Sequence, residues 1–200
     1  IRDQPRSRGL GDVYKRQMQS YYVFFSIYLD QLGVSDGWKG IFWSIGVASE
    51  ILMMSAAGRV VKAIGVKRTI SIGFLGMAVR LAIFSLGPPA WAVALNQTLH
   101  ALTFTLFHIG MVEFIWRSFP TSAKASGQTV YNSVVWGLGG VVGAKVAGEI
   151  SQALGLKRTF GVSALIALAA LTLNLAAVRE PERRLSDEMA GQMDMDQGRG

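Results

Sequence analysis

The stretch that decides the fold is Thr69 to Leu86, TISIGFLGMAVRLAIFSL, in which Arg80 is the one charged side chain. A helix needs about 20 mostly apolar residues to cross the hydrocarbon core of a bilayer. That core has no water to satisfy backbone N–H and C=O groups, so only helices and closed barrels cross it. The stretch therefore predicts a transmembrane helix.

Five other apolar stretches flank it at short intervals. They are Met18 to Leu32, Ile41 to Ala57, Ala90 to Trp116, Val130 to Ile150 and Phe160 to Val178. Of the 200 residues, 50% are hydrophobic and 16% charged, against about 25% charged in soluble domains. The absence of cysteine excludes a disulfide framework, a thiolate metal site and a cysteine nucleophile. The sequence therefore predicts an all-α membrane protein, with a six-helix bundle over residues 18–178.

The two ends of the chain differ from this bundle. Residues 12–17, DVYKRQ, match the translation of a common transposon-end sequencing adapter, so we expect residues 1–17 to be a non-native sequencing or assembly scar. The alternative is a native basic tail. Residues 179–200 are polar and rich in Met and Asp, which predicts a disordered tail without assigned chemistry.

The basic residues between the helices set the orientation. One side would hold Arg59, Lys62, Lys67, Arg68, Arg117, Lys124, Arg179, Arg183 and Arg184, and the other only Lys39, Lys157 and Arg158. Cytoplasmic loops carry the excess of Lys and Arg, so we expect a cytoplasmic C-terminus. The net charge of +7 comes from these connections and the termini rather than from a stripe on one face, so we expect no nucleic-acid partner.

Among the ionisable residues inside the apolar stretches, three are the strong candidates for a site within the membrane: Glu50, Arg80 and His100. At 1.5 Å rise per residue they would lie about 13, 9 and 15 Å below the outer ends of their helices, close to one level. A charge at mid-membrane costs about 2.5 to 3.5 kcal/mol on insertion scales, so it needs a partner or a water-filled cavity. We expect a buried Glu50–Arg80 pair with His100 nearby. The alternative is polar contact between helices with no further role.

The fourth stretch carries a polar face. Asn96, Gln97, His100, Thr103, Phe107 and His108 fall within about 140° of one another at 100° per residue. Such a face suits a hydrated cavity, and two histidines along it could pass a proton, although His108 alone could equally be a packing residue. Histidines eight positions apart do not face one ion, so we expect no metal and no cofactor.

The fifth stretch begins with polar residues and continues with glycines. Gln128, Tyr131 and Asn132 could line the inner mouth of a cavity. Gly139 and Gly143 form a GxxxG step, which predicts close packing against another helix.

The connection after the second stretch, GRVVKAIGVKR from Gly58 to Arg68, resembles the loop motif of the major facilitator superfamily. The matching positions are Gly58, Lys62, Gly65, Lys67 and Arg68, and Lys62 stands where the family often has Asp. A more specific resemblance lies in Ser44 to Glu50, Val79-Arg80 and Leu99 to His108. These are similar to the phenylpropionate permease branch, which is related to lactose permease and the nucleoside–proton symporters.

The resemblance implies a twelve-helix fold of which this chain would be helices seven to twelve, the C-terminal half. It implies a multi-pass protein of the bacterial inner membrane, not an enzyme, that moves an aromatic acid, a nucleoside or a sugar with a proton. Substrate and proton coupling would fall on Glu50, Arg80, His100, His108, Asn96 and Thr103. Lactose permease has a further glutamate one turn after its histidine, and here Thr103 or Phe104 occupies that turn, so the proton carrier stays open. The partners would be the solute, the proton, the bilayer and the missing N-terminal half. The alternative is a six-helix scaffold protein without transport.

Overall fold

The computed structural model describes residues 24–178 and 180–181. The predicted scar at residues 1–17, the front of the first helix and most of the predicted tail lie outside these residues. Within the described part the chain forms helices and no strand. They are α1 (residues 24–31), α2 (Asp36–Ile64), α3 (Val66–Ser85), α4 (Ala90–Ser118), α5 (Thr121–Leu154) and α6 (Leu156–Ala177). Helices α2 to α6 are long and apolar enough to cross a membrane, which confirms the all-α membrane class.

Two predicted loops are single glycines in the structure. Helix α2 continues to Ile64, and Gly65, with φ of +87°, separates it from α3. Gly155, with φ of +82°, likewise separates α5 from α6. Glycine alone adopts this left-handed backbone readily, so one residue suffices for the reversal. The predicted loop bounds were wrong because polar and charged residues near an interface stay helical while their long side chains reach water.

Helix α3 lies at the centre of the bundle and packs most extensively against α6, with further contacts to α2 and α4. One apolar core, which includes Tyr28, Phe84 and Phe160, joins α1, α3 and α6 near Gly87. A second core around Val66 and Ile70 lies toward Gly65. We call the two ends of the bundle the Gly87 end and the Gly65 end. Arg80 lies on α3 five residues before its last residue, Ser85, and is buried in the interior of the bundle.

The close approaches between helices occur at glycines other than the predicted pair. A Cβ built on Gly73 would lie 2.8 Å from Cβ of Phe107, and one on Gly110 would lie 2.8 Å from Cγ1 of Ile70. These glycines bring α3 and α4 together. On α5, a Cβ on Gly143 would meet nothing within 4 Å, and one on Gly139 would meet only its own helix, at the Val134 carbonyl. The predicted tight packing at the GxxxG step was wrong for the described chain, because this face of α5 is left open.

Candidate functional site

Glu50, Arg80 and His100 come from three different helices, α2, α3 and α4, and meet inside the bundle. Nη1 of Arg80 lies 3.1 Å from Nδ1 of His100. On the other side of the ring, Nε2 of His100 lies 3.7 Å from Oε2 of Glu50. The three side chains therefore form a row with the imidazole in the middle.

This row corrects the predicted direct pair. Among the ion pairs between described residues, none joins Glu50 to Arg80. His100 occupies the space between them and lies against α2 at Gly46, whose Cβ position is at ordinary contact distance, 3.5 Å, from Cδ2 of His100. The prediction used only the depth of each residue along its helix, and depth does not determine which side chain lies between the other two.

Arg80 is the most deeply held member of the row, with 2% of its surface exposed. Its Nη2 donates to Oε1 of Gln97 at 2.6 Å. Asn96 is buried beside it, and Nδ2 of Asn96 donates to the carbonyl of Arg80 at 3.1 Å. A charge buried this far is tolerated when hydrogen bonds compensate it, and Gln97 and His100 each contact one terminal nitrogen of the guanidinium.

Two of the predicted site residues contact the backbone of the row rather than its side chains. Asn96 contacts the backbone of Arg80, as described above. Oγ1 of Thr103 donates to the carbonyl of His100, on its own helix, at 3.2 Å. The residue that the prediction left out of the site is Gln97. Its position on the same polar face of α4 was the available signal, and the hydrogen bond to Arg80 makes it part of the cluster.

An aromatic stack follows α4 from the row toward the Gly65 end. The rings of His100 and Phe104 lie 5.5 Å apart at 27°, and those of Phe104 and His108 lie 5.9 Å apart at 9°. The helix is π-helical over Ala101–Leu106, which makes its turns wider than those of an α-helix. The wider turn brings residues four apart closer to one line, so the three rings overlap.

The stack ends at Tyr131 on α5. The Tyr131 hydroxyl lies 3.5 Å from Nδ1 of His108, and the two rings are 6.1 Å apart. Tyr131 is buried, and a buried tyrosine hydroxyl usually lies beside a polar group, as this one lies beside His108. The prediction placed Tyr131 at the mouth of a cavity but did not connect it to His108.

A cavity of about 530 Å³ lies near this end of the stack, between the end of α4 and the start of α5. It is lined by Trp116, Thr121, Lys124, Ala125, Gln128, Thr129 and Asn132. Gln128 and Asn132 were expected at such a mouth. Nζ of Lys124 lies 5.0 Å from the centre of the Trp116 ring, a cation–π contact at the rim.

The loop motif lies at the Gly65 end, away from the row. Nζ of Lys67 donates to the carbonyl of Leu175 on α6 at 2.7 Å. The carboxylate of Glu180 accepts hydrogen bonds from the backbone N–H groups of Val66 and Lys67. Glu180 belongs to the predicted tail, for which no role was expected. The motif thus fastens the start of α3 to the end of α6.

Metal ligation receives no support from the described residues. Within 24–178 and 180–181, no three His, Asp or Glu side chains gather in a group that could hold an ion. The row of Glu50, His100 and Arg80 contains a buried arginine, which repels a cation.

Comparisons with known proteins agree with this architecture. The sequence profile of the MFS_1 like family matches residues 14–162. A probable 3-phenylpropionic acid transporter of Escherichia coli strain K12 is 29% identical over 154 residues, which cover 77% of this chain and 40% of that protein. The uncharacterized transporter YwbF of Bacillus subtilis strain 168 is 22% identical over 162 residues, covering 81% and 41%. The putative nucleoside transporter YegT of Escherichia coli strain K12 is 23% identical over 139 residues, covering 66% and 32%.

No solved structure matches the chain. The chain spans about two fifths of the length of the first two relatives, in keeping with six helices of a fold that has twelve. The relatives are named as transporters, and none as an enzyme. With a profile match over most of its length, this chain belongs to the MFS_1-like family of the major facilitator superfamily.

Proposed function

We propose that this chain is the C-terminal half of a secondary transporter that moves a small organic solute and a proton together across the bacterial cytoplasmic membrane. The row Glu50, His100 and Arg80 is the observation that carries the proposal. It holds one residue that can lose a proton, one permanent cation and one imidazole, drawn from three helices of the bundle. Ionisable residues inside membrane segments typically mark substrate or proton pathways.

The partner in this proposal is an N-terminal six-helix half. In transporters of this type the solute binds near the middle of the membrane between two halves, which rock against each other. The open face of α5, at Gly143 and along the valines beside it, is suited to such a partner because it has no cover within the described chain. The excess of basic residues at the Gly65 end supports a cytoplasmic C-terminus.

The names of two relatives support an aromatic acid and a nucleoside, respectively, as the solute of this transporter. A sugar is the third candidate. The stack of His100, Phe104 and His108 supports a solute with a flat ring, because aromatic faces attract one another. The scaffold alternative predicts that the three ionisable side chains face different neighbours and line no cavity. Their contacts with one another weigh against the first of these two expectations.

The test is Glu50→Gln in the full-length transporter, reconstituted in proteoliposomes. The substitution keeps the size of the side chain and removes its ability to release a proton. We expect uphill uptake driven by a proton gradient to fall to the level of empty vesicles, while exchange of internal for external solute persists. The matched control is Glu149→Gln on the exposed surface of α5, where uphill uptake should be unchanged. Unchanged uphill uptake in Glu50→Gln would refute the coupling role.

A further inference from the structure

The contact between Arg80 and His100 fixes the position of the imidazole proton. Nη1 of Arg80 lies 3.1 Å from Nδ1 of His100. A guanidinium has only donors, so Nδ1 must accept through its lone pair. An arginine side chain keeps its charge at any pH that the cell reaches. The single ring proton of His100 is therefore on Nε2.

Three further contacts hold this arrangement in place. The second guanidinium nitrogen of Arg80 is engaged by Gln97, 2.6 Å away. Nδ2 of Asn96 holds the Arg80 carbonyl, and the His100 ring stacks on Phe104. Turning Arg80 away would leave a charge with 2% exposure without its hydrogen bonds, which is costly. The tautomer of His100 is thus a property of the packed cluster.

The free N–H of His100 is directed at Glu50. Helices α2 and α3 pack against the π-helical part of α4. Among the described residues, the charged or titratable side chains that they bring to this ring are Glu50, 3.7 Å from Nε2, and Arg80. A second proton on the ring would have to bind Nδ1. It would break the hydrogen bond from Arg80 and put two cations in contact.

We propose that Glu50 alone binds the coupled proton, and that His100 stays a neutral Nε2–H donor throughout the cycle, with Arg80 as its positioning residue. The proposal rests on the proposed function, since a coupled proton presupposes transport. In the step itself, the Glu50 carboxylate takes a proton from water and becomes a neutral acid. No proton is added to or removed from His100. The charge of the row changes from zero to +1.

This change determines what the row can bind. With Glu50 ionised, its carboxylate lies 3.7 Å from Nε2 of His100 and repels an anion. With Glu50 protonated, its O–H and the Nε2–H of His100 become two donors beside the buried cation of Arg80. Two donors and a net positive charge suit a carboxylate. An acidic solute and the proton would therefore bind together.

The test is ¹⁵N NMR of histidine-labelled full-length transporter in lipid nanodiscs, between about pH 5 and 8, where a free histidine titrates. The His100 signals are those lost in His100→Gln, and His108→Gln identifies the other histidine of this chain. In the unsubstituted protein we expect Nε2 protonated, Nδ1 unprotonated and no imidazolium at any pH in this range. In Arg80→Gln, whose side chain is neutral, we expect an imidazolium signal for His100 as the pH falls. Glu50→Gln should leave the tautomer of His100 unchanged.

Infrared difference spectra taken over the same range report on the carboxyl group. A protonated-acid band should grow as the pH falls and be absent in Glu50→Gln. An imidazolium or Nδ1–H signal from His100 in the unsubstituted protein would overturn the proposal. This result does not depend on Arg80→Gln folding correctly, and neither measurement requires transport. Failure of proton-driven uptake would therefore count against the proposed function separately.

Discussion

Replacing Glu180 with alanine should lower the free energy of unfolding by about 1 kcal/mol. Its two carboxylate oxygens accept from the N–H of Val66 at 2.6 Å and from that of Lys67 at 2.8 Å. These are the first two residues of α3, whose N–H groups have no partner within the helix. Loss of a capping side chain costs about 0.5 to 2 kcal/mol, and loss of a negative charge at a helix N-terminus about 0.3 to 1 kcal/mol. Because Glu180 is exposed to solvent, the lower half of the combined range applies.

The assay is reversible unfolding in mixed micelles with a rising fraction of sodium dodecyl sulfate, followed by far-ultraviolet circular dichroism. Glu180→Gln keeps an acceptor oxygen but not the charge, so we expect about half the loss. The matched control is Glu149→Ala on α5, whose side chain is 67% exposed and 4.0 Å from Lys145. An exposed pair of this kind contributes little, so its removal should shift stability by less than about 0.5 kcal/mol. Equal losses in Glu180→Ala and Glu149→Ala would show that the cap does not hold α3 to the chain that follows α6.

Two further predictions use the same titration. Gly73→Ala should destabilise the bundle by about 1 to 3 kcal/mol, because its Cβ would lie 2.8 Å from Cβ and 3.1 Å from Cα of Phe107. In this chain without an N-terminal half, Gly143→Ala adds a methyl group where nothing lies within 4 Å, so it should be neutral or slightly stabilising, and a loss as large as that of Gly73→Ala would contradict the packing argument. Asn174→Ala should cost about 1 to 2 kcal/mol, since Nδ2 of this buried side chain donates to Oγ of Ser71 at 2.9 Å and joins α6 to α3. Ser71→Ala should then add little to Asn174→Ala, whereas fully additive losses would show that the two side chains act independently.

The helical fold class and the choice of candidate residues could be predicted from the sequence because both follow from the physics of the bilayer. Long apolar stretches must be helices there, so the fold class follows from hydropathy alone. The membrane also makes each ionisable residue conspicuous, which is why Glu50, Arg80 and His100 could be selected without coordinates. Their depths could be counted from the helical rise, and the three side chains do meet.

The order of the side chains within the row could not be derived in that way. It depends on which rotamers the packing of α2 and α3 against α4 allows. The stacking of His100, Phe104 and His108 was missed although residues four apart are neighbours on a helix, because the predicted polar face left out Phe104. Glu180 was missed for a different reason: its partners, Val66 and Lys67, are more than 100 residues away in sequence.

The energetics of Arg80 separate the transport hypothesis from the scaffold hypothesis. Replacing a buried ion network with apolar side chains of similar volume is often neutral or stabilising, so a network of this kind is weak evidence for stability. A helix that only packs against its neighbours would be at least as stable with an apolar side chain in place of Arg80, which is 2% exposed. A transporter can use this arginine, since a fixed positive charge makes the binding of an anion depend on whether Glu50 carries a proton. The double substitution of Arg80→Met and Glu50→Gln, which removes both charges together, should therefore abolish uphill uptake in the full-length protein while leaving the bundle folded. Loss of folding together with uptake would instead assign Arg80 to the structure.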